Sequence, residues 1–572
     1  MPLAFENADQ FDWRVRKIAV VGPGIVGMPM AALLAHARIR EGSAEPARVV
    51  VVQRDSPTSG WKVGAINDGR SVIGGVEPGL DDIVRESVAA GVLSATHDYM
   101  DVADADLVLV SVQTDKKGLA PDYGPLFEAL ELLARALARK PDGNVPVIVF
   151  ESTLAPSSMT TVIREHFARH GLVEGRDILL GNSPNRVMPG RLVERVAASD
   201  KLVAGLHPLT PKLISRVYSR IVTGGTLHET NSMTAEVVKT LENAYRDVRI
   251  AFSAEVARRC DALDVDFFAL RDAVNERLSQ SDSASADATA VPSGGMLVPT
   301  TGVGGHCLPK DGILLWWRAI EAGVDTSRSL ILRARHINDE SPRYLIRLAE
   351  RQHGPVDGKR IALMGTAYRF DSEDTRNSPT LYLARELLER GCTVRLHDPY
   401  VKAHDQNLAR FGLGSYFSNE AGPVLADADL VFFCAGHAVY RRELEQLLSA
   451  MKQARGIVDG ANLFREADLS GRSLLYAGIG RGRQAPADEL VAQTEQAFRT
   501  MEQDAAREVA ALAAFLNERF AGDRFNRVEF EEVRRLAGTC PTGCAIAALR
   551  VPGETADAGG QPAQAVASGP GH

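Results

Sequence analysis

Cysteine is scarce in this sequence, with six residues in a chain of 572. The six are scattered at positions 260, 307, 392, 434, 540 and 544, which is not the pattern of a small domain stabilised by disulfides. We therefore expect free thiols and a reducing compartment, the cytoplasm. Cys540 and Cys544 form a Cys-x3-Cys pair, but no second pair of ligands lies nearby, so we predict no metal site.

Long apolar runs and an excess of positive charge are also missing. No stretch is long and apolar enough to cross a membrane, and the first ten residues are polar, unlike a signal peptide. The formal net charge of −8 argues against a nucleic-acid-binding protein. With 45% hydrophobic residues, the chain has the composition of a globular protein, and its length predicts several domains. We expect neither nucleic acid nor membrane as a partner.

A glycine-rich turn stands near the start of the chain, between an apolar segment at 17–21 and a helical segment at 28–36. A strand, a GxGxxG turn and a helix in this order form the dinucleotide-binding fingerprint. The first glycine makes the turn, the second lets backbone N–H groups approach a pyrophosphate, and the third allows the helix to pack on the strand. The predicted cofactor contacts here are Gly22, Gly24, Ile25, Val26 and Gly27.

The end of the second predicted strand, at 48–52, bears on the choice of cofactor. The strand is followed by Gln53, Arg54 and Asp55, whereas an acidic residue usually comes first and holds the ribose 2′-hydroxyl. Asp55 favours NAD, and Arg54 favours the 2′-phosphate of NADP. We predict NAD and keep NADP as the alternative.

Strands and helices alternate along the rest of the first part, with further strands at 106–112, 145–150 and 178–180. This alternation predicts a parallel, doubly wound sheet. Long helices follow from about residue 229, including one predicted from 327 to 352. A second α/β unit without GxGxxG begins at 360, with strands predicted at 393–397 and 456–459. We predict four parts: 1–215, a helical middle at 216–350, a second α/β domain at 351–484, and a helical extension with a disordered tail at 485–572. A flexible loop is predicted at 279–295.

One further glycine-rich segment, residues 302–311, delivers Cys307 on a loop and places Asp311 four residues later. A cysteine on such a loop is accessible, and its thiolate is a nucleophile. The alternative is a small buried hydrophobic residue beside a turn. Lys239 and Asn243 are four apart on a predicted helix and share one face. That face is either solvated or supplies a cation and an amide to the cysteine.

Several motifs occur together in the order found in the UDP-glucose/GDP-mannose dehydrogenase family, which the chain resembles over about residues 15–480. The motifs are the GxGxxG turn, Glu151-Ser-Thr153, Ser183-Pro-x-Arg-x-x-Pro-Gly190, Ala235-Glu-x-x-Lys239-x-x-x-Asn243, Gly304-Gly-His-Cys307-x-Pro-Lys-Asp311 and Asp374-x-Arg376-x-Ser-Pro379. The resemblance implies an α/β fold with two Rossmann-like doubly wound domains joined by a helical middle domain, which would form a homodimer or a higher homo-oligomer.

The activity implied by the resemblance is an NAD-dependent, four-electron oxidation of the C6 alcohol of a nucleotide-linked hexose to a uronate, for a surface polysaccharide precursor. Cys307 would form a thiohemiacetal and then a thioester. Lys239 and Asn243 would stabilise the oxyanion, and Asp311 would act in the proton and water steps. The resemblance also implies cofactor contacts at Thr114 and Thr153. Substrate contacts are implied at Asn185, Arg186, Lys239, Asn243, Gly304, Gly305, Arg369 and Arg376.

The identity of the sugar is indicated by the residues around the cysteine. His306 resembles the N-acetylhexosaminuronate branch of the family, so UDP-N-acetylmannosamine or UDP-N-acetylglucosamine is our first choice. Pro309, Lys310 and Asp311 resemble the UDP-glucose branch, which we keep as the second.

Departures from the family pattern keep two other functions open. Asn185 stands where the family usually has a glutamate that assists hydrolysis, and we expect Glu151 to take over that role. Ala461 stands where the family usually has a nucleotide-binding arginine. The alternatives are a single-step dehydrogenase acting on a hydroxy acid with NAD or NADP, and a non-catalytic dinucleotide-binding scaffold.

Overall fold

The computed structural model describes residues 11–74, 77–140, 144–186, 190–281, 295–469, 471–520 and 524–539. In these ranges two largely parallel sheets, each covered by helices on both faces, are joined by a helical region. The strands are β1 (Lys17–Val21), β2 (Arg48–Val52), β3 (Leu93–Thr96), β4 (Leu107–Val110), β5 (Asp115–Lys117), β6 (Ala120–Asp122), β7 (Val147–Phe150), β8 (Leu179–Asn182), β9 (Lys201–Gly205), β10 (Leu227–Asn231), β11 (Arg360–Met364), β12 (Thr393–His397), β13 (Phe417–Ser418), β14 (Leu430–Phe433), β15 (Gly456–Asp459) and β16 (Leu475–Gly478).

Nineteen α-helices lie within the same described ranges. They are α1 (Gly27–His36), α2 (Trp61–Asn67), α3 (Leu80–Ala89), α4 (Gly124–Leu137), α5 (Arg164–Arg169), α6 (Leu192–Ala198), α7 (Leu209–Tyr218), α8 (Ser232–Leu263), α9 (Phe267–Ser281), α10 (Leu308–Glu321), α11 (Leu330–Asp339), α12 (Ser341–His353), α13 (Pro379–Glu389), α14 (Gln406–Arg410), α15 (Ala421–Leu425), α16 (Ala438–Arg442), α17 (Leu444–Ala450), α18 (Asp488–Arg519) and α19 (Phe530–Ala537). None of them combines the length and apolarity needed to cross a membrane.

The first sheet has the strand order β3-β2-β1-β4-β7-β8-β9-β10. Neighbouring strands are parallel except β8 and β9, an antiparallel pair that the sequence analysis did not anticipate. The order reverses between β1 and β4, and ligands of doubly wound sheets bind in the crevice outside the carboxyl ends of the strands at such a point. Fully apolar strands such as β4 and β7 are buried on both faces by separate helix layers.

The second sheet repeats this arrangement with the order β13-β12-β11-β14-β15-β16, in which all pairs are parallel. Its reversal lies between β11 and β14. The predicted α/β fold with two doubly wound sheets and a helical middle is therefore confirmed.

The helical middle is built on α8, which is 32 residues long. The helix begins where Asn231 Oδ1 accepts a hydrogen bond from the backbone N–H of Thr234, and it ends at Asp264 in the left-handed region. Helices α10 and α11 pack on it. The sequence predicts one helical segment from 327 to 352, but the structure has two helices. The second begins at Ser341 and has Pro342 in its first turn, where a residue without an N–H is tolerated although it could not continue a preceding helix.

Helices α18 and α19 lie against this middle region. Glu508 of α18 accepts hydrogen bonds from the indole of Trp316, the hydroxyl of Ser329 and the backbone N–H of Leu330, so it caps the start of α11. The second sheet, the middle helices, α18 and α19 share one continuous apolar core. The helical extension predicted from 485 is present as α18. Most of the predicted loop at 279–295 and the predicted disordered tail lie outside the described residues, as do Cys540 and Cys544.

Candidate active site

Cys307 stands at the start of α10, where the chain enters the helix from the glycine-rich loop. Its carbonyl accepts the backbone N–H groups of Lys310 and Asp311 at 3.1 and 2.9 Å, and the side chain is exposed. The first turn of a helix has unpaired N–H groups and the positive end of the helix dipole, which stabilise negative charge. The cysteine is thus accessible, and the alternative of a buried residue does not apply.

The two glycines before the histidine allow the loop to lie directly against the loop after β11. A Cβ on Gly304 would lie 2.4 Å from Cβ of Tyr368, and Gly305 has φ of +84°. The N–H of Gly305 donates to the carbonyl of Arg376 at 2.8 Å, and Asn377 Nδ2 donates to the carbonyl of Gly305 at 2.9 Å. Side chains at either glycine would therefore displace the cysteine from the second sheet.

His306 connects the same loop to the first sheet. Its Nε2 donates to the carbonyl of Thr114 at 2.8 Å, and Thr114 Oγ1 donates to the carbonyl of Thr153 at 2.7 Å. Burial lowers the pKa of His306, and the positive charge of Lys310 lowers it further. The ring is therefore neutral near pH 7. Its one N–H proton lies on Nε2, because the carbonyl oxygen of Thr114 can only accept a hydrogen bond. The predicted cofactor residues Thr114 and Thr153 thus lie together at the edge of the cysteine loop.

Four of the five residues predicted to be catalytic, all except Glu151, come together between α8 and α10. Asn243 Nδ2 donates to Asp311 Oδ2 at 2.6 Å, and Lys310 Nζ pairs with Asp311 Oδ1 at 3.0 Å. Burial acts to lower the pKa of Lys239, but the negative charges of Cys307 and Asp311 outweigh it and raise that pKa above its ordinary value. A buried ammonium therefore lies within electrostatic range of the cysteine. Only the catalytic roles of these residues stay a prediction.

Glu151, the predicted replacement for the missing glutamate, follows β7 and is enclosed in a buried cluster. Lys201 Nζ contacts Glu151 Oε2 at 2.7 Å, and the hydroxyl of Tyr218 donates to Oε1 at 2.5 Å. Asn185 Nδ2 approaches Oε2 at 3.4 Å. Both carboxylate oxygens thus have close partners. Sequence reasoning missed Lys201 and Tyr218, because they come from β9 and α7 and carry no local motif.

The turn after β1 has the geometry that a dinucleotide requires. Gly22 has φ of +92°, and a Cβ on Gly27 would lie 2.1 Å from the carbonyl oxygen of Gly22. A Cβ on Gly24, in contrast, would meet no atom of the described residues within 4 Å. Ile25 and Val26 lead from this turn into α1, which begins at Gly27. The space above Gly24 at the start of the helix fits a pyrophosphate.

Arg54 and Asp55 are both exposed beyond the end of β2. The guanidinium of Arg54 forms an ion pair with Glu128 of α4. Asp55 lies beside Gly60, since a Cβ on that glycine would be 2.6 Å from Asp55 Oδ1. The arginine that would favour a 2′-phosphate is therefore already paired with a carboxylate.

The predicted substrate arginines lie in two places. Arg376 pairs with Asp374 at 2.6 Å and interacts electrostatically with Cys307. Arg369 lies over the exposed ring of Phe370, 5.5 Å from its centre. Arg186 and the neighbouring Asn185 follow β8, on the side of α8.

Comparison with known proteins decides the family. Residues 16–222 match the NAD binding domain of the UDP-glucose/GDP-mannose dehydrogenase family, residues 233–340 its central domain and residues 362–466 its UDP binding domain. The chain belongs to this family. It is an NAD-dependent nucleotide-sugar dehydrogenase, as the sequence analysis predicted.

Members of the family with known names are similar over most of the chain. The chain is 30% identical to the NDP-N-acetyl-D-galactosaminuronic acid dehydrogenase of Ralstonia solanacearum, over 81% of this chain and 100% of that protein. It is 28% identical to the UDP-N-acetyl-D-mannosamine dehydrogenase of Pyrococcus horikoshii, over 82% and 99%. The crystal structure of NDP-N-acetyl-D-galactosaminuronic acid dehydrogenase from Methanosarcina mazei Go1 superposes with a TM-score of 0.68 at 29% identity, over 82% and 96%.

One cluster of metal-ligating side chains lies among the described residues and was not singled out in the sequence. The ligand atoms of Glu131, His166 and His170 lie within 4.8 Å of one another. Glu131 already pairs with Arg135 at 2.7 Å and with His170 at 2.9 Å, so its charge has partners without an ion.

Proposed function

We propose that this family member oxidises the C6 alcohol of a UDP-linked N-acetylhexosamine to the uronate, with UDP-N-acetylmannosamine or UDP-N-acetylglucosamine as substrate and UDP-glucose as the second candidate. The names of the relatives from Pyrococcus horikoshii and Ralstonia solanacearum support an N-acetylated sugar. His306 beside the cysteine supports it as well. The observation that carries the proposal is the group of Cys307, Lys239, Asn243 and Asp311 between α8 and α10.

In this proposal Cys307 is the nucleophile. Its thiolate adds to the carbon of the aldehyde, which is the product of the first oxidation. In the second oxidation the resulting thiohemiacetal loses a hydride and a proton and becomes a thioester. The buried ammonium of Lys239 stabilises first the thiolate and then the oxyanion, because charge pairs are strong where water is excluded. NAD supplies the chemistry of hydride acceptance when it is bound over Gly22, Gly24 and Gly27.

Asp311 and Asn243 act on the hydrolytic step in this scheme. The carboxylate of Asp311 is held by Asn243 and Lys310, in the position of a group that orients or deprotonates water. Glu151 is the second candidate for that role, since Asn185 occupies the place of the usual glutamate. Lys201 and Tyr218 already bind both oxygens of Glu151, which favours Asp311.

Arg369 and Arg376 are proposed to meet the nucleotide sugar from the loop after β11, while Asn185, Arg186, Gly304 and Gly305 complete its surroundings. Both arginines are at least partly exposed and follow Tyr368, whose ring packs on the cysteine loop. Ala461 cannot supply the positive charge usual at its position. These two arginines compensate for that charge, because phosphate is bound best by guanidinium groups.

We also propose the divisions at 215, 350 and 484, a homodimer made through the helical middle, and a cytoplasmic location. The sheet composition supports a separation of the two α/β units, since the strands of the first sheet all precede α8 and those of the second all follow α12. The last strand of the first sheet, β10, lies beyond the proposed division at 215. A nucleophilic Cys307 requires a free thiol, which a reducing compartment maintains. The uronate would serve as a surface polysaccharide precursor, as the family resemblance implies.

A screen of UDP-sugars with NAD and NADP tests the proposal. NADH formation should be fastest with an N-acetylhexosamine, and two NADH should form per sugar. Mass spectrometry of enzyme quenched during turnover should find an adduct on the peptide containing Cys307. A single NADH per sugar, or uronate formation by Cys307→Ala at the wild-type rate, would contradict the covalent four-electron scheme. A preference for UDP-glucose would contradict only the choice of sugar.

A further inference from the structure

The last helix of the described chain ends on a buried arginine of the proposed site. Arg186 Nη1 donates to Thr539 Oγ1 at 2.9 Å, and Nη2 donates to the carbonyl of Leu536 at 3.2 Å. On its other side the guanidinium pairs with Glu242 at 2.6 Å, and the arginine side chain is only 3% exposed. Three groups from two distant parts of the chain thus fix one charged side chain.

The end of α19 is chemically suited to this contact. The last carbonyls of a helix have no partner within the helix and carry partial negative charge, which suits a guanidinium. Thr539 Oγ1 donates its own hydrogen to the carbonyl of Leu536 at 2.7 Å, and this leaves a lone pair to accept from Arg186. The threonine hydroxyl is therefore oriented as an acceptor.

Arg186 lies beside the catalytic group. Its partner Glu242 follows Lys239 by three residues on α8, on the same side of the helix. Arg186 and Lys239 interact electrostatically, and Lys239 interacts in the same way with Cys307. The position of the guanidinium therefore affects the electrostatic environment of Lys239 and, through it, that of Cys307, the proposed nucleophile.

One donor of Arg186 is left over. Its Nε is buried and has no acceptor in the described parts of the chain. A buried donor without an acceptor costs about 1–3 kcal/mol, so such groups usually have a water or ligand partner. An oxygen of a bound nucleotide sugar would satisfy this donor.

Contacts on both sides hold α19 in place. Thr230 Oγ1 donates to Glu532 at 2.7 Å, and Asn231 Nδ2 donates to the carbonyl of Arg527 at 2.7 Å. Val533 and Leu536 are fully buried in the core shared with the middle helices. The helix is thus fixed against β10 and the start of α8 and does not merely lie on the surface.

We propose that the end of α19 is a positioning element of the sugar site. The carbonyl of Leu536 and the hydroxyl of Thr539 hold the guanidinium of Arg186 beside Lys239, so that its Nε meets an oxygen of the nucleotide sugar. This rests on the proposed assignment of Arg186 to the substrate. The family models match up to residue 466, so the element comes from a part of the chain beyond them.

Thr539→Val tests the inference, because it keeps the shape and removes the acceptor. With UDP-N-acetylmannosamine, or the UDP-sugar preferred in the screen above, we expect the KM for the sugar to rise by about 3- to 20-fold. The KM for NAD should stay unchanged, and the melting temperature should fall slightly, because the buried Arg186 Nη1 loses an acceptor. Thr539→Ser restores the hydroxyl and should restore the KM. Thr494→Val is the matched control, since Thr494 Oγ1 also donates to a helix carbonyl, that of Leu490, but lies on α18 away from Arg186.

A double-mutant cycle separates this inference from the assignment of Arg186. Arg186→Ala should raise the KM for the sugar, and adding Thr539→Val should then have no further effect, because the two act through one contact. Additive effects, or an unchanged KM in Thr539→Val alongside a raised KM in Arg186→Ala, would overturn the positioning role and leave the site assignment intact. An unchanged KM in Arg186→Ala would overturn both.

Discussion

The side-chain amide of Asn243 donates to the carboxylate of Asp311, with 2.6 Å between Nδ2 and Oδ2. The two residues come from α8 and α10, and Lys310 Nζ binds the other oxygen of the same carboxylate. Asp311 is thereby held between an amide and an ammonium, one helical turn after Cys307. The chemistry proposed for Asp311 thus depends on an amide that belongs to a different helix.

Asn243→Ala should lower kcat by about 10²- to 10³-fold, because Asp311 loses the donor that holds it for the proton and water steps. Stability should fall by about 1–3 kcal/mol, because a buried carboxylate loses a donor. Asn275→Ala is the control: this buried amide bonds the backbone of Met296, away from the cysteine, so the variant should lose stability and keep kcat. Steady-state kinetics and thermal unfolding check both, and a wild-type kcat for Asn243→Ala would exclude the proposed role.

Gly24→Val should fold normally and fail to bind NAD. A Cβ added at Gly24 would lie more than 4 Å from every other atom in the described part of the chain, so the new side chain should meet the pyrophosphate. Gly27→Ala is the contrasting variant, because its Cβ would lie 2.1 Å from the Gly22 carbonyl oxygen and should lower the melting temperature. Calorimetric titration with NAD and thermal unfolding distinguish the two effects. Normal NAD affinity in Gly24→Val would show that the cofactor lies elsewhere.

Iodoacetamide near pH 7.5 should modify Cys307 faster than the other three described cysteines. Burial raises the pKa of Cys260 to about 11 and that of Cys434 to about 12, and it also raises the pKa of Cys392. Lys239→Met should slow the modification of Cys307, because it removes a nearby positive charge. Peptide mapping over time resolves each site. Equal rates in the variant and the wild type would show that Lys239 does not activate the thiol of Cys307.

The enzyme should prefer NAD to NADP by at least about tenfold in kcat/KM, which corresponds to about 1.4 kcal/mol. Part of this preference should come from Glu128, since its carboxylate pairs with Arg54 and would repel a 2′-phosphate. Glu128→Gln should therefore raise kcat/KM for NADP and leave that for NAD unchanged. Glu86→Gln, an exposed acidic residue of α3, is the control. A wild-type preference for NADP would reverse the interpretation of Arg54.

Stability should fall on acidification below about pH 6.5 partly because of His306. Its pKa is lower in the folded chain than the ordinary value, chiefly through burial, with Lys310 adding repulsion. Between the two pKa values the unfolded chain binds more protons, so the free energy of unfolding decreases as the pH falls through this range. The melting temperature of His306→Gln should fall less between pH 7.5 and pH 5.5 than that of the wild type. The exposed His404→Gln is the control, and an identical pH dependence in all three would contradict the assignment.

The sequence predicted the sheets well because buried parallel strands are short, continuous apolar runs. β1, β2, β12 and β15 have the predicted bounds. Strands such as β3 and β16 were not predicted, because they lie at the sheet edges and have mixed sequences. The antiparallel pairing of β9 with β8 was not predicted either, because no local pattern encodes that contact. Likewise, a helical period continues through 327–352, although a new helix with Pro342 in its first turn begins at Ser341.

For the site, motifs predicted which residues meet but not how each is bound. Cys307, Lys239, Asn243 and Asp311 come together as expected. The partners of Glu151 and Arg186 were not predictable, because Lys201, Tyr218 and Thr539 lie up to 353 positions away in the chain and belong to no motif. Long-range partners of buried charges are set by packing, which a single sequence does not display.

The cysteine loop is attached to both halves of the molecule. Gly305 hydrogen-bonds the loop after β11, and two atoms of the neighbouring His306 ring connect it to the segment after β4. If either sheet rotates about the middle helices, one attachment has to follow and the sulfur moves with it. The nucleophile therefore responds to the distance between the two crevices. Because both sheets hold the loop, the sulfur of Cys307 keeps its place only while the two crevices keep their spacing.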